Sequence, residues 1–253
     1  MVVSGTQADK AARLVAPNEP VVVLGPPARF VSRGGEKLDA ALTRFAIDVT
    51  DRRALDAGAS TGGFTHCLLQ RGALMVYAVD VGHGQLDQGL RTDARVTVLE
   101  RVNVRSLTPE VLCQVDADFV PCSIVTADLS FISLITVIPA LTGPVGTEEA
   151  DVVLLVKPQF EAGRAIVARG KGVVRDPEVW HQALGDVTSA LRSAGTGIMG
   201  VMASPLTGPA GNVEFLVHAR KGAVPVEAGV VDRLLQSAVS EAVARRAATS
   251  TAD

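Results

Sequence analysis

Several short stretches of the chain carry residue types and spacings suited to chemistry. The first is Leu55-Asp56-Ala57-Gly58-Ala59-Ser60-Thr61-Gly62-Gly63-Phe64-Thr65, which follows an apolar run and opens a segment of helical period. Glycines at such a turn let a ligand approach the main chain. The free N–H groups of a helix start attract an anionic group such as a carboxylate. Gly58, Ser60, Gly62, Gly63 and Phe64 are therefore candidate binding residues. The spacing matches neither the G-x-G-x-x-G of a dinucleotide fold nor a lysine-containing phosphate loop, and a strand-to-helix turn without a ligand has the same look. The second stretch is Val79-Asp80-Val81-Gly82, with Asp80 placed 22 residues after Gly58. An acid there, at the end of the next strand, suits the two hydroxyls of a ribose. Asn103 follows the third strand, either as a partner for an adenine or its sugar, or as a turn former.

Thr126-Ala127-Asp128-Leu129-Ser130-Phe131 and Leu155-Val156-Lys157-Pro158-Gln159-Phe160-Glu161 each close a further apolar run. Both end at the carboxyl edge of the sheet, where open α/β folds bind ligands, so Asp128 and Lys157 face one crevice. A lysine ending a buried strand needs an ionic partner, and Asp128 is the natural one, in either a catalytic or a structural pair. Between Lys157 and Arg175 the chain places Lys157, Arg164, Arg169, Lys171 and Arg175 against the single acid Glu161. This Gly-containing segment reads as a mobile lip that contacts phosphates, or as a solvated loop. Lys37, in Ser32-Arg33-Gly34-Gly35-Glu36-Lys37-Leu38, and Glu214, inside the apolar run Val213–Val217, carry no role on residue type alone.

The elements that must position these residues alternate. Expected strands are Arg53–Gly58, Leu74–Val81, Val96–Leu99, Ser123–Asp128, Asp151–Lys157, Ile198–Ala203 and Val213–Ala219. Expected helices are Gly63–Arg71, Gln85–Thr92, Pro109–Val115, Leu134–Leu141 and Pro177–Ala194. Near-continuous apolar strands separated by helices predict an α/β fold, a mostly parallel seven-stranded sheet with helices on both faces. The Pro- and Gly-rich connection Ser204–Asn212 predicts an antiparallel hairpin at the sheet edge. An amphipathic helix is expected from Glu227 to Arg246, followed by a frayed tail. Residues 1–30 read as two short strands around a polar turn.

With 47% hydrophobic and 20% charged residues in 253, the chain can form a packed core, which argues against wholesale disorder. A net charge of −3 is not that of a nucleic-acid coat, so any RNA site must be a local patch. Cys67, Cys113 and Cys122 are widely spaced and do not cluster with the four histidines, which argues for reduced thiols in a cytoplasmic protein and against a metal site. The longest uncharged stretch, Leu129–Thr147, is broken by Pro139, Gly143 and Pro144, so no membrane-spanning segment is expected. Only Trp180 and Tyr77 join the seven phenylalanines as platforms for base stacking.

Taken together, SRGGEKL, LDAGASTGGFT, VDVGHGQL, ADLSFISL, LVKPQFE and GNVEF, in this order over residues 31–220, resemble the TlyA family of ribosomal-RNA 2′-O-methyltransferases within the FtsJ-like group. The resemblance implies a Rossmann-like methyltransferase fold with S-adenosylmethionine as methyl donor. It implies a catalytic tetrad of Lys37, Asp128, Lys157 and Glu214, and a donor site of Gly58, Ser60, Gly62, Gly63, Phe64, Asp80, Asn103 and Asp128. Ribosomal RNA within ribosomal subunits becomes the expected partner, with Arg33, Arg164, Arg169, Lys171 and Arg175 as its contacts. Lys157 is then expected to orient the ribose hydroxyl and help remove its proton, with the other three residues holding it and tuning its charge. Residues 1–28 resemble part of an S4-type RNA-binding domain, ahead of a methyltransferase domain at 29–248. Because only the second half of that domain is recognisable, the segment is expected to pack weakly and the chain to engage ribosomal subunits poorly. Two rival readings are a membrane-active haemolysin-like protein and a non-catalytic RNA-binding assembly factor.

Overall fold

A computed structural model describes residues 1–8, 13–22 and 28–250, with the backbone alone at 164, 165, 249 and 250. The strands are β1 (Val2–Val3), β2 (Thr6–Gln7), β3 (Val21–Val22), β4 (Arg53–Ala57), β5 (Met75–Val79), β6 (Val96–Leu99), β7 (Cys122–Ala127), β8 (Gly146–Val156), β9 (Thr196–Ala203) and β10 (Phe215–Lys221). The helices are α1 (Gly34–Arg44), α2 (Gly63–Gln70), α3 (Gln88–Arg91), α4 (Pro109–Cys113), α5 (Ile138–Leu141), α6 (Pro158–Glu161), α7 (Arg164–Arg169), α8 (Pro177–Ser193) and α9 (Ala228–Ser250).

Seven strands form one sheet in the order β6-β5-β4-β7-β8-β10-β9, with β10 antiparallel to both of its neighbours and the other pairings parallel. Alternation along the strands divides the core between the two faces. Leu55, Leu154 and Phe215 pack with Trp180 of α8 and Leu235 of α9 on one face, while Ala54, Leu155 and Leu216 pack with Leu38 of α1 and Leu68 of α2 on the other. A strand buried on both faces has no polar side to show, which is why β4, β5, β7 and β8 read as apolar runs. This is the expected α/β architecture.

Several boundaries differ from the sequence reading, each for a physical reason. Helix α1 was not expected: its sequence opens on two glycines and its start has no side-chain cap, so packing of buried Leu38, Ala41 and Leu42 stabilises it. The segment Leu134–Leu141 divides into a 3₁₀ turn at Leu134–Thr136 and the short α5, because Pro139 in its first turn has no N–H to continue the earlier ladder. The helix expected over Gln85–Thr92 shortens to α3, which starts at Asp87, whose carboxylate accepts from Gly89 N at 2.8 Å. Glu214 lies just before β10 rather than within a strand. The alanine-rich tail continues α9 past Arg246 to Ser250 instead of fraying there. Among the described residues of the N-terminus there are three strands where two were expected. Ser4 and Gly5 both take positive φ, +49° and +80°, so β1 turns back onto β2 while β3 pairs on its other side.

Candidate active site

The turn from β4 to α2 is built by contacts that exclude side chains. Gly58 has φ +85°, and a Cβ there would lie 2.4 Å from the Asp128 carbonyl oxygen. The amides of Gly58 and Ala59 both donate to the Val79 carbonyl, at 2.8 and 3.1 Å, fixing the turn to the end of β5. At Gly63 a Cβ would sit 2.2 Å from Ser32 Oγ and 2.9 Å from Gly35 N, so this glycine lets the starts of α1 and α2 meet. Gly62 faces Leu86 and Leu90 rather than open space. Beneath the turn, Asp56 is wholly buried, and Thr65 Oγ1 donates to its Oδ2 at 2.6 Å. Burial pushes the Asp56 carboxyl up to about 7, and the nearby charges of Asp128 and Asp80 push the same way against the Thr65 hydrogen bond.

A cleft of about 580 Å³ opens above the ends of β4, β5 and β7, lined by Gly58, Ser60, Asp80, Gln85, Asn103 and Asp128 among others. Asp80 is held there by two main-chain donors, Ser60 N to Oδ2 at 2.8 Å and Gly82 N to Oδ1 at 2.6 Å. Ser60 Oγ donates to Gln85 Oε1 at 3.2 Å. Asn103 lines the cleft and also forms a turn, its Oδ1 accepting from Arg105 N at 3.0 Å.

A smaller cleft of about 160 Å³ adjoins the first, shares Gly58, Ser60, Asp128 and Ser130 with it, and adds Gly63, Phe64 and Lys157. Here Lys157 Nζ lies 2.6 Å from Asp128 Oδ1 and donates to Ser130 Oγ at 2.9 Å. Asp128 Oδ1 is buried and accepts no hydrogen bond, so its attraction to the ammonium is a charge contact rather than an aligned bond. The other two candidate residues form a second pair, Lys37 Nζ donating to Glu214 Oε2 at 2.5 Å, with 6% and 2% of the residues exposed. The register joins the two pairs. Phe215 of β10 stands opposite Val156 of β8, and one step further along that pairing come Glu214 and Lys157. Lys37, Asp128, Lys157 and Glu214 thus gather at one edge of the sheet, from α1, just past the ends of β7 and β8, and just before β10.

Residues not singled out from the sequence also shape the site. Asp56 stood in the turn motif without a role of its own, and Ser130 and Gln85 act through partners far along the chain. Phe131 is 92% exposed with φ +65°, and its ring lies 5.4 Å from that of Phe160.

Of the expected RNA contacts, Arg33, Arg169, Lys171 and Arg175 are exposed, whereas the Arg164 side chain lies outside the described residues. The segment leading to Arg175 is not a mobile lip throughout. Val174 is buried, its N–H donates to Asn212 Oδ1 at 2.9 Å, and its carbonyl accepts from Trp180 Nε1 at 3.0 Å. Among the described residues no group of histidine, cysteine or carboxylate side chains has a metal-ligand arrangement, and no helix is long and apolar enough to cross a membrane.

The family model described as FtsJ-like methyltransferase matches residues 30–221. The 16S/23S rRNA (cytidine-2′-O)-methyltransferase TlyA of Mycobacterium tuberculosis is 50% identical over 220 residues, covering 86% of this chain and 79% of the relative. A solved chain from Streptococcus thermophilus that carries a hemolysin name superposes with a TM-score of 0.78 at 40% identity, over 88% of this chain and 79% of that one. At 17% identity, the S-adenosylmethionine-dependent methyltransferase of Mesorhizobium loti shares the fold, with a TM-score of 0.51 over 72% of this chain and 96% of its own.

Proposed function

The chain belongs to the FtsJ-like methyltransferase family, and on that premise we propose that it methylates the 2′-hydroxyl of a ribose, that of a cytidine, in ribosomal RNA, with S-adenosylmethionine as donor. The observation that carries the reading is the Lys157–Asp128 pair, which stands where the larger cleft meets the smaller one. The larger cleft fits the donor. Its volume is within the range of roughly 300–1,000 Å³ common for small-molecule sites. Asp80 stands where a ribose diol would donate hydrogen bonds to a carboxylate whose orientation the loop amides have already fixed. Gly58 lines this cleft, its turn packed against the Asp128 main chain where a side chain would clash.

S-adenosylmethionine, when bound, supplies an electrophilic methyl group on a sulfonium sulfur. The protein's part is to present the acceptor oxygen in line with it, an alignment that can be worth effective molarities of about 10⁵ M or more. Lys157 Nζ, fixed between Asp128 Oδ1 and Ser130 Oγ, donates to the ribose hydroxyl oxygen and stabilises the charge that oxygen gains as its proton passes to solvent and the methyl group bonds to it, leaving the sulfur neutral. Lys37 and Glu214 keep the neighbouring position neutral as a pair, so Lys157 meets no uncompensated carboxylate from β10. Residues 29–248 form the methyltransferase domain in this reading, 1–28 a partial RNA-binding segment, and the site of action is cytoplasmic ribosomal subunits. Arg33, Arg164, Arg169, Lys171 and Arg175 contact RNA phosphates.

Methyl transfer from labelled S-adenosylmethionine to purified ribosomal subunits, with the modified nucleotide mapped, tests the reading. The expected result is label on a cytidine ribose. Lys157→Ala should cut transfer by roughly 10²-fold or more while donor binding persists. Label on a base, or full activity in that variant, would overturn the assignment.

A further inference from the structure

On the other side of Lys157 from the donor cleft lies a separate cavity of about 390 Å³, lined by Ser204, Leu206, Thr207, Glu214, Arg245 and Arg246 among others. The sheet order explains its position. The donor cleft covers the ends of β4, β5 and β7, Lys157 ends β8, and this cavity covers the end of β9 and the start of β10. An acceptor ribose held at Lys157 therefore has the donor on one flank and this cavity on the other. Whatever continues from that ribose away from the donor is directed into it.

The cavity is built for an anion. Arg245 and Arg246 come from α9, Arg245 anchored by Nη2 to Glu241 Oε1 at 2.6 Å and Arg246 by Nη1 to the Arg175 carbonyl at 3.3 Å. A guanidinium has five N–H donors in a planar fork that matches phosphate oxygens, and the single 3.3 Å bond of Arg246 leaves that fork available. Two acids adjoin the cavity, and each has a cation: Glu214 is paired with Lys37 and Glu241 with Arg245. Asn212, only 3% exposed, precedes the lining residues Val213 and Glu214. Its Nδ2 donates to the Gly172 carbonyl at 2.9 Å and its Oδ1 accepts from Val174 N at 2.9 Å, which pins the loop carrying Lys171 and Arg175 to the β9–β10 connection. The Arg246 bond to the Arg175 carbonyl also holds exposed Arg175 next to the cavity's arginines.

We propose that this cavity is a phosphodiester subsite, which takes the RNA backbone phosphate next to the target ribose and so sets how the strand passes over Lys157. The proposal rests on the RNA methyltransferase reading above. The arginines act here as positioning residues: they touch the substrate's phosphate, not the reacting atoms.

The test compares the wild-type protein with Arg245→Gln/Arg246→Gln and with Arg246→Gln alone. Binding of a single-stranded oligoribonucleotide and methyl transfer to ribosomal subunits are measured at several salt concentrations. Each lost phosphate contact should lower the slope of log K against log salt by about 0.7 for a single strand, so by about 1.4 in the double variant. KM for the RNA substrate should rise roughly tenfold with kcat unchanged. In Arg246→Gln, the melting temperature and the stabilisation by S-adenosylmethionine should stay as in the wild type. Arg246→Gln disturbs only one long carbonyl bond and should give about half the change in slope, which keeps the proposal testable if the double variant folds poorly. An unaltered salt slope and KM alongside active wild-type enzyme would overturn the subsite and leave the methyltransferase reading standing. A wild-type protein that labels no ribosomal RNA would overturn that reading, and the subsite with it. Inorganic phosphate serves as a control ligand. If it stabilises the wild type but not the double variant while RNA binding is the same in both, the cavity is a free-phosphate site and the proposal is wrong.

Discussion

Asp56 makes stability depend on pH in a direction opposite to that of most carboxylates. Its carboxyl is pushed from the ordinary 3.8 up to about 7, first by burial and then by the charges of Asp128 and Asp80. The folded protein therefore keeps a proton that the unfolded chain has already released. Wherever the folded state binds more protons, stability falls as pH rises. The contribution is full below about pH 4, declines through the folded value near 7, and is gone above it. A difference of about three pH units corresponds to a ceiling of about 4 kcal/mol at 1.36 kcal/mol each. Between about pH 5.5 and about pH 8, roughly 2 kcal/mol of this is lost. With a urea slope of about 2 kcal/mol/M, the unfolding midpoint should drop by about 1 M over that interval. Asp56→Asn keeps an acceptor for the Thr65 hydroxyl and cannot titrate, so it should remove this part of the drop. Urea titrations of both proteins at the two pH values isolate the effect, since every other group titrates in both. Parallel pH dependence in the two proteins would show that Asp56 is ionised throughout and would refute the reasoning.

Asp80→Ala should abolish stabilisation by S-adenosylmethionine, which in the wild type at about 100 Kd amounts to about 2.7 kcal/mol, or a rise in Tm on the order of 5–10 °C; an unchanged rise by scanning fluorimetry removes Asp80 from the site. Glu214→Ala leaves the Lys37 ammonium buried without its partner and should cost about 3–5 kcal/mol. Replacing both with apolar residues, Lys37→Met/Glu214→Leu, should recover most of that stability in chemical denaturation but no methyl transfer. A double variant with wild-type turnover would assign the pair to folding alone.

The parts of the architecture legible in the sequence are those written locally. Fully buried strands such as Leu154–Val156 read as apolar runs, and the glycines and acid of Gly58–Asp80 mark the strand ends where ligands bind. What escaped depends on distant partners. Asp56 read as part of a turn motif, because nothing nearby in sequence shows that it is sealed beneath it by Thr65 and Thr126. The Lys157–Arg175 segment read as mobile, because the residue that pins it, Asn212, lies 38 positions beyond Val174. Helix α1 lacks the local signals of a helix start, and its lysine acquires meaning only from Glu214, 177 residues away. Pairing along a strand is a short-range pattern, whereas burial of a charge is decided by the whole fold.

The placement of β10 also dictates an order of events during synthesis. β10 enters the sheet between β8 and β9, two strands made before it. Until it arrives, Val152–Val156 of β8 present an open edge whose side chains are all apolar. The end of β10, Lys221, comes 65 residues after Val156, on the order of 3–13 s at the ribosome's rate of elongation. During that interval the nascent chain displays an unprotected strand edge, the feature most prone to pairing with a neighbouring chain. The same strand brings Glu214 to Lys37, so closing the hazard and completing the buried ion pair are one step. A chain ending before residue 215 would leave this edge of β8 uncovered and should be prone to aggregate.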